Sequence, residues 1–361
     1  MEEQDDLSGN TGLLTWELNY NTLIIGGYGD MPNYRDDPPW YPYNKAITAV
    51  LIEDGVTSIG DWAFEGCEHL TSINIPNNIE CIGDYVFWSS GLTSITIPSS
   101  VISIGKLLFC YCDNFTFINV EEDNPIYSSK DGILFNKDKT VLLQYPMGRA
   151  DTHCVIPESV TRIEDCAFDD CSNLISINIP NSVTAIGGFA FSGCENLTSI
   201  FIPNSVTNIE DGAFGDCSKL TSFDVSIDNP IYSSEDGVLF NKSKTLLIQY
   251  PKAKTDKDYT IPNNVAIVEK EAFAFCNGLT SITIPETVSS VGSSTFCRCR
   301  RLKHINLQCE IPPTINWIID MKTFEDIDKD TCVLYVPYGS KDKYANAEGW
   351  KEFTNIQEET E

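Results

Sequence analysis

The chain has 361 residues, 52 acidic and 24 basic, for a formal charge of −28. A field of that sign repels phosphate at every approach, which excludes nucleic acid and anionic membrane surfaces as general partners. Hydrophobic residues make up 42 % and aromatics 11 %, enough for a large core, but the apolar runs are only a few residues long and leave no transmembrane helix.

The first ten residues, MEEQDDLSGN, hold neither a basic nor an apolar leader region. Beyond them Leu14, Trp16 and Leu18 alternate, as do Leu23 and Ile25, around Asn19-Tyr20-Asn21, which predicts a hairpin over 13–26. Residues 1–46 read as an N-terminal cap whose hairpin covers the open apolar end of the adjoining segment. Next comes a repeated unit, roughly V-T-x-I-G-x-x-A-F-x-x-C-x-x-L-T-S-I-x-I-P. It starts at Val56, Ile79, Val101, Val160, Val183, Val206, Val265 and Val288, at intervals of 23, 22, 59, 23, 23, 59 and 23 residues. Each interval of 59 fits one unit of 23 plus an insert of about 36, at 121–155 and 226–260. The inserts are near copies: NPIYSSKDGILFNKDKTVLLQYP from Asn124 returns as NPIYSSEDGVLFNKSKTLLIQYP from Asn229, 105 residues later. A tandem duplication is thus laid over the shorter period.

Within one unit Ala63, Phe64, Cys67 and Leu70 recur at helical spacing, whereas Ile73 and Ile75 alternate as in a strand that Pro76 ends. The predicted fold is an α+β repeat solenoid over 47–310, each coil of about 23 residues made of short strand, turn, short helix and strand. One coil cannot bury its apolar face alone, but stacked coils share a continuous core. Residues 311–361 read as a C-terminal cap. Val333 to Val336 is its strand, Pro337-Tyr338-Gly339 a break, and Lys341 to Trp350 a terminal helix anchored by Tyr344 and Trp350; 311–331 fits no element.

The string L-x-S-I-x-I-P, at 70–76, 92–98, 174–180, 197–203 and 279–285 and followed in register by V-T-x-I-G-x-x-A-F-x-x-C, closely resembles the BspA-like leucine-rich repeat family of bacterial surface proteins. The flanks LTWELNYNTLIIGGYGDMPNYRDDPPWYPY and YVPYGSKDKYANAEGWKEF are similar to the caps found on such proteins. The resemblance implies a leucine-rich repeat fold and a cell-surface or secreted location, with a leader removed and a lipid anchor possible in the precursor. It also implies a binding role toward host matrix or plasma proteins. The expected particle is a monomer that is not membrane-embedded.

No catalytic constellation emerges. Seven of the 14 cysteines (Cys67, Cys112, Cys171, Cys194, Cys217, Cys276 and Cys299) hold one repeat position, which suits a narrow buried column. Cys110 with Cys112 and Cys297 with Cys299 offer a C-x-C spacing, but zinc sites want C-x2-C with a second ligand pair. His69, His153 and His304 stand in no H-E-x-x-H setting, and there is no nucleophile elbow, P-loop or dinucleotide motif. The acidic stretches 121–123 and 326–330 lack the order of an EF-hand loop. The expectation is a protein that is not an enzyme, with no metal and no cofactor.

What remains is surface, displayed in rows. The outward positions of the strands give candidate contacts at Ser72, Asn74, Thr96, Phe117, Asn119, Asn178, Phe201, Asp224, Thr283 and His304, mostly small and polar. Phe117, Phe201 and His304 interrupt the row as aromatic anchors, although Phe117 can instead pack beneath the adjoining insert. A second row precedes each Ala-Phe pair: Trp62, Tyr85, Leu107, Cys166, Phe189, Gly212, Glu271 and Ser294. Trp62 and Tyr85, joined by Trp88 and by Trp40, Tyr41 and Tyr43 of the cap, make an aromatic patch if exposed. The cap or the inner side of the helices is expected to cover it. A protein ligand is the leading partner class, with a glycan as the alternative and an enzyme built on the inserts as the least supported reading.

Overall fold

The computed structural model describes residues 7–35, 37–316 and 322–360. Residues 1–6 of the N-terminal cap and 317–321 of the unassigned segment lie outside them. The chain is a β-solenoid of about 14 turns. It divides into two compact units, one of residues 1–152, 157–173 and 185–194, the other of 153–156, 174–184 and 195–361.

In both units the coils stack through short parallel strands in strict register. In the first, Phe117↔Ser94, Ile118↔Ile95, Asn119↔Thr96 and Val120↔Ile97 lie opposite one another. In the second, Ser281↔His304, Ile282↔Ile305, Thr283↔Asn306 and Ile284↔Leu307 do the same. Because side chains alternate across a strand, register places every inward isoleucine over another and every outward polar residue over another. A two-residue strand later in each coil repeats the pattern, with Ser58↔Cys81 and Ile59↔Ile82 in the first unit. At the N-terminal end, Leu14–Asn19 and Thr22–Gly27 pair as an antiparallel hairpin, and Thr22–Gly27 then starts the parallel stack by pairing with Ala49–Ile52.

The predicted short helix does not form. The Ala-Phe-x-x-Cys segment is a chain of turns, and among the described residues the α-helix Lys341–Asn346 is the only one. The reason lies in two left-handed residues per coil. Trp62, Tyr85, Leu107, Cys166, Phe189, Gly212, Glu271 and Ser294 all have φ between 52° and 67°. So, four positions on, do Gly66, Ser89, Tyr111, Asp170, Gly193, Asp216, Phe275 and Arg298, at 48° to 67°. A right-handed helix cannot pass through such residues. Alternate backbone N–H groups then point along the stack. Trp62, Phe64 and Gly66 donate to the carbonyls of Asp84, Val86 and Trp88 at 3.0, 2.9 and 2.8 Å, while Ala63, Glu65 and Cys67 close turns on Gly60, Trp62 and Phe64. Glu271, Phe273 and Phe275 repeat the ladder onto Ser293, Thr295 and Cys297 in the second unit. The three-and-four spacing of apolar residues therefore comes from consecutive turns.

Rings and thiols fill the interior. Phe64, Phe87 and Phe109 stack at 5.8 and 5.6 Å in the first unit, and Tyr250, Phe273, Phe296 and Phe324 at 5.1, 5.5 and 5.8 Å in the second. Trp40 adds a ring before Phe64 and Trp350 one after Phe324, each fully buried with its indole N–H on a backbone carbonyl at 2.8 Å. The Phe324 stack shows that residues 322–331, the later part of the segment that fits no element by sequence, belong to one more coil: Thr323-Phe324-Glu325-Asp326-Ile327 stands where Ala-Phe-x-x-Cys is expected, and Phe296 and Arg298 donate to Thr323 and Glu325. The terminal helix is shorter than expected, ending at Asn346, and a 3-10 turn, Trp350–Glu352, comes after it.

The seven column cysteines are all buried. Cys112, Cys194 and Cys299 each donate from Sγ to the carbonyl of the phenylalanine one coil earlier, Phe87, Phe168 and Phe273, at 3.0, 3.3 and 2.9 Å. Burial pushes the Cys67 and Cys299 thiols up to about 12.

The inserts finish the edges they interrupt. Tyr127–Lys130, Ile133–Asn136 and Val141–Gln144 form an antiparallel meander, and Val141–Gln144 rejoins the stack by pairing in parallel with Arg162–Ile163. Strand Ser103–Ile104 ends its sheet, and the Ile104 N–H is taken by the Tyr127 hydroxyl at 3.0 Å. On the other face Ile118 and Val120 donate to Gly132 O and Ser129 Oγ, both at 3.0 Å. Asn124, wholly buried, donates from Nδ2 to Pro98 O and Val101 O and accepts Ile126 and Tyr127 N–H on Oδ1. Asn229, Tyr232 and Ser234 reproduce this set in the second unit.

This packing generates two expected outcomes. Ile177 is 6 % exposed, so Ile177→Asp buries an unpaired charge and should lower stability by about 3 kcal/mol or more, read as a large drop in Tm by circular dichroism; an unchanged Tm would contradict the inward assignment of that face. Of 14 free thiols Cys81 is exposed, Cys110, Cys166 and Cys297 are half-buried and ten are buried, so a thiol reagent at pH 8 should titrate one fast equivalent, then up to three slower ones, and reach the ten only on unfolding. Cys67 and Cys299 have folded pKa values of about 12 against 9.0 for the unfolded group. Their contribution to stability is therefore complete below pH 9 and is lost as pH rises toward 12. Thermal scans should be flat in this respect near neutrality and fall above pH 9.

Candidate binding surfaces

The outward strand positions lie largely where alternation puts them. Ser72, Asn74, Thr96, Phe117, Asn119, Asn178, Phe201 and Asp224 are exposed, while Thr283 and His304 are half-buried. In the second unit Phe201 sits directly opposite Asp224, and His304 opposite Ser281, with its ring 5.9 Å from Tyr335. In the first unit Asn119 faces Thr96 across the ladder. Phe117 is partly covered by the turn of its insert. A Cβ on Gly132, at φ 81°, would come within 2.6 Å of the ring, so a glycine there lets the backbone lie against the aromatic face. Ser222 takes the place of Phe117 in the second copy, beside Gly237. The row is thus a polar β-face with two exposed rings, Phe117 and Phe201, one in each unit.

The second row brings its residues together more closely. Trp62, Tyr85 and Trp88 are half-buried, and Trp62 packs in part against the core, so the expected cover is only partial and no helix supplies it. The rings of Trp62 and Tyr85 lie 4.0 Å apart and within 9° of parallel. Trp88 leans on both, at 5.9 and 5.7 Å, and Tyr111 meets Trp88 edge-on at 4.7 Å. Trp40 does not belong to this patch, because it turns inward onto Phe64. The left-handed backbone at Trp62 and Tyr85 brings the stacked pair to the surface while the next residues, Ala63 and Val86, go to the core. Tyr111 is not among the residues that sequence reasoning singles out. Its signal is the second left-handed position, one residue before the column cysteine, where a large aromatic stands only at Tyr111 and Phe275.

Carboxylates border the patch. Asp61 Oδ1 accepts the Asp84 N–H at 2.8 Å, and Asp84 Oδ1 accepts the Lys106 N–H at 2.7 Å, so both are pinned by the next coil. Glu65 is held above the usual carboxylate range by burial and by the nearby charge of Asp37. Glu68 pairs with Lys45 at 3.7 Å.

The second unit has a cleft of about 240 Å³ where its insert interrupts the stack, lined in part by Glu210, Asp211, Gly212, Lys252, Glu269 and Lys270. Lys270 pairs with Asp211 at 2.6 Å and Lys252 with Asp216 at 2.8 Å, which uses both cations. Among the described residues no group of three or more His, Cys, Asp or Glu side chains is placed to hold a metal ion. Of the C-x-C pairs, Cys110 faces Asp169 and Cys297 faces Glu325, with sulfur–oxygen distances of 3.8 and 3.7 Å; burial raises both thiols, that of Cys297 to about 11. Such thiols stay protonated at neutral pH and are poor nucleophiles and poor ligands.

The BspA type leucine rich repeat region matches this chain over residues 41–139, 150–256 and 252–328, in six copies. No curated protein matches it. Among solved structures, a leucine-rich repeat protein from Eubacterium ventriosum is 23 % identical with a TM-score of 0.59, covering 90 % of this chain and 95 % of that one. A leucine rich cell surface protein from Faecalibacterium prausnitzii is also 23 % identical, with a TM-score of 0.50, over 99 % of this chain and 96 % of its own. Both are likenesses of fold. Among the described residues no helix is long and apolar enough to cross a membrane. Repeat model, register and stacked column agree, and the chain belongs to the BspA-type leucine-rich repeat family, a family associated with bacterial surface proteins.

Proposed function

We propose that this protein is a noncatalytic binding protein of the bacterial cell surface or exterior, presenting its repeat surface to a protein of a host matrix, of plasma or of a neighbouring cell. The supporting observation is the half-exposed cluster of Trp62, Tyr85, Trp88 and Tyr111 on adjacent coils. Large rings held rigid by mutual stacking bury much apolar area on contact with little loss of side-chain freedom, which is why aromatic residues carry so much interface energy. The exposed faces of Phe117 and Phe201 extend the polar strand rows as secondary contacts.

A glycan is the second reading, favoured by the near-parallel rings of Trp62 and Tyr85, a flat apolar platform of the kind on which a sugar ring can rest. Surface plasmon resonance against immobilised matrix and plasma proteins, run beside a glycan array, separates the two. The expected outcome is saturable binding to a protein that Trp88→Ala weakens at least tenfold while Asp342→Asn, at an exposed position of the C-terminal cap, changes it less than twofold. Glycan binding without protein binding would transfer the function to the second reading, and turnover of a peptide or glycan would replace both with an enzyme.

A further inference from the structure

Resting on the binding reading above, the geometry points to a specific occupant of the first-unit aromatic cluster: an arginine or lysine side chain from a basic segment of the partner protein, lodged on the rings of Trp62, Tyr85 and Trp88 between the carboxylates of Asp61, Asp84 and Glu65. Three observations lead there.

The first is the nature of the surface. Stacked indole and phenol rings present faces of negative potential, which attract a cation set over them. Asp61 and Asp84 immediately precede Trp62 and Tyr85 and are fixed by backbone N–H groups of the next coil, which anchors the Asp61 carboxylate on the residue before Tyr85. Glu65 lies between Trp62 and Cys67 in the same coil, crowded by Asp37.

The second is what the chain places there itself. Among the described residues no lysine or arginine lies over Trp62, Tyr85 or Trp88. Lys45 is engaged with Glu68, and Lys106, whose backbone adjoins Asp84 and Tyr85, does not set its ammonium over a ring. Rings bordered by acid and lacking their own cation are complementary to a cation from outside.

The third is an internal precedent. Phe275 in the second unit sits one residue before its column cysteine and is flanked by two cations of the same chain, with Lys252 Nζ 4.6 Å and Arg298 Cζ 5.1 Å from the ring centre. The repeat surface therefore already hosts ammonium and guanidinium groups on an aromatic face. Around Phe275 the chain supplies them, and at Trp62, Tyr85 and Trp88 a partner does.

A charge of −28 attracts any cation, so the test must separate this pocket from diffuse attraction. A fluorescent peptide of alternating arginine and serine is titrated against the protein by anisotropy, beside the same peptide with citrulline, which keeps the shape and removes the charge. The arginine peptide should bind and the citrulline peptide should bind at least tenfold more weakly. Trp62→Gly with Trp88→Ala, which leaves the net charge unchanged, should cost the arginine peptide at least tenfold; Gly212 already occupies the position of Trp62 in another coil, so the backbone accepts it. Asp84→Asn, which keeps the acceptor for Lys106, should cost several-fold more than Asp258→Asn in the second unit. Should the double variant lose its cooperative melt, protection of wild-type tryptophans from N-bromosuccinimide by the arginine peptide but not the citrulline peptide gives the same answer. Equal binding by wild type and double variant, or equal binding of the two peptides, overturns the inference. Matrix-protein binding lost on Trp88→Ala but insensitive to salt would overturn it while leaving the binding function intact. Displacement of the arginine peptide by a neutral oligosaccharide at lower concentration than by free arginine would also overturn it, in favour of a glycan.

Discussion

Every coil depends on its neighbour for backbone hydrogen bonds that a helix or hairpin would make within itself. The Trp62, Phe64 and Gly66 N–H groups find their acceptors one coil further on, and so do the strands on the opposite face. A buried N–H without a partner costs about 1–3 kcal/mol, so a coil out of step by one residue would leave several unsatisfied at once. That requirement sets the period near 23 residues. It also explains why left-handed backbone is tolerated at tryptophan, tyrosine, phenylalanine, glutamate and serine alike. The ladder has to turn there, and the stacked neighbours over-determine the conformation.

The same constraint orders the interior. With coils in register, phenylalanine rings have no choice but to stack on phenylalanine rings and thiols on thiols. In the coil of Phe87 Ser90 fills the place of the column cysteine and its hydroxyl lies 3.5 Å from Cys112 Sγ, while in the last coil Ile327 closes the column. A small side chain able to offer a hydrogen to the carbonyl of the preceding coil is what the site demands, and cysteine meets this with little polarity to bury. The column is thus a packing device, and its raised thiol pKa values are a consequence of dryness.

Much of this is legible in the residues, for identifiable reasons. The inward places of Ile95, Ile97, Ile177 and their equivalents come from alternation, and the buried cysteine column from position alone. The helix is a false expectation because two successive left-handed turns put Ala63, Phe64, Cys67 and Leu70 on one side as a helix would, and periodicity cannot tell the two apart. Nor does residue type announce a left-handed backbone when glycine holds the first such place in one coil of eight and the second in two. The last coil is hidden because Thr323 and Ile327 replace alanine and cysteine around Phe324. At the surface, alternation places Ser72, Asn74 and Thr96 outward correctly. The aromatic row is visible as a row, but its exposure depends on the turn geometry, which leaves Trp62 and Tyr85 half-buried where sequence reasoning expects them covered.

The inserts bring along everything needed to close the edges they create: an asparagine for two stranded carbonyls, a tyrosine hydroxyl for an exposed amide, a serine for another. A block of 105 residues ending in its own seal can be copied or deleted whole by recombination without baring an aggregation-prone strand. Such a block allows length to change in steps of 105 residues, and each duplicate can then alter its outer face, as Phe117 in one copy and Ser222 in the other illustrate.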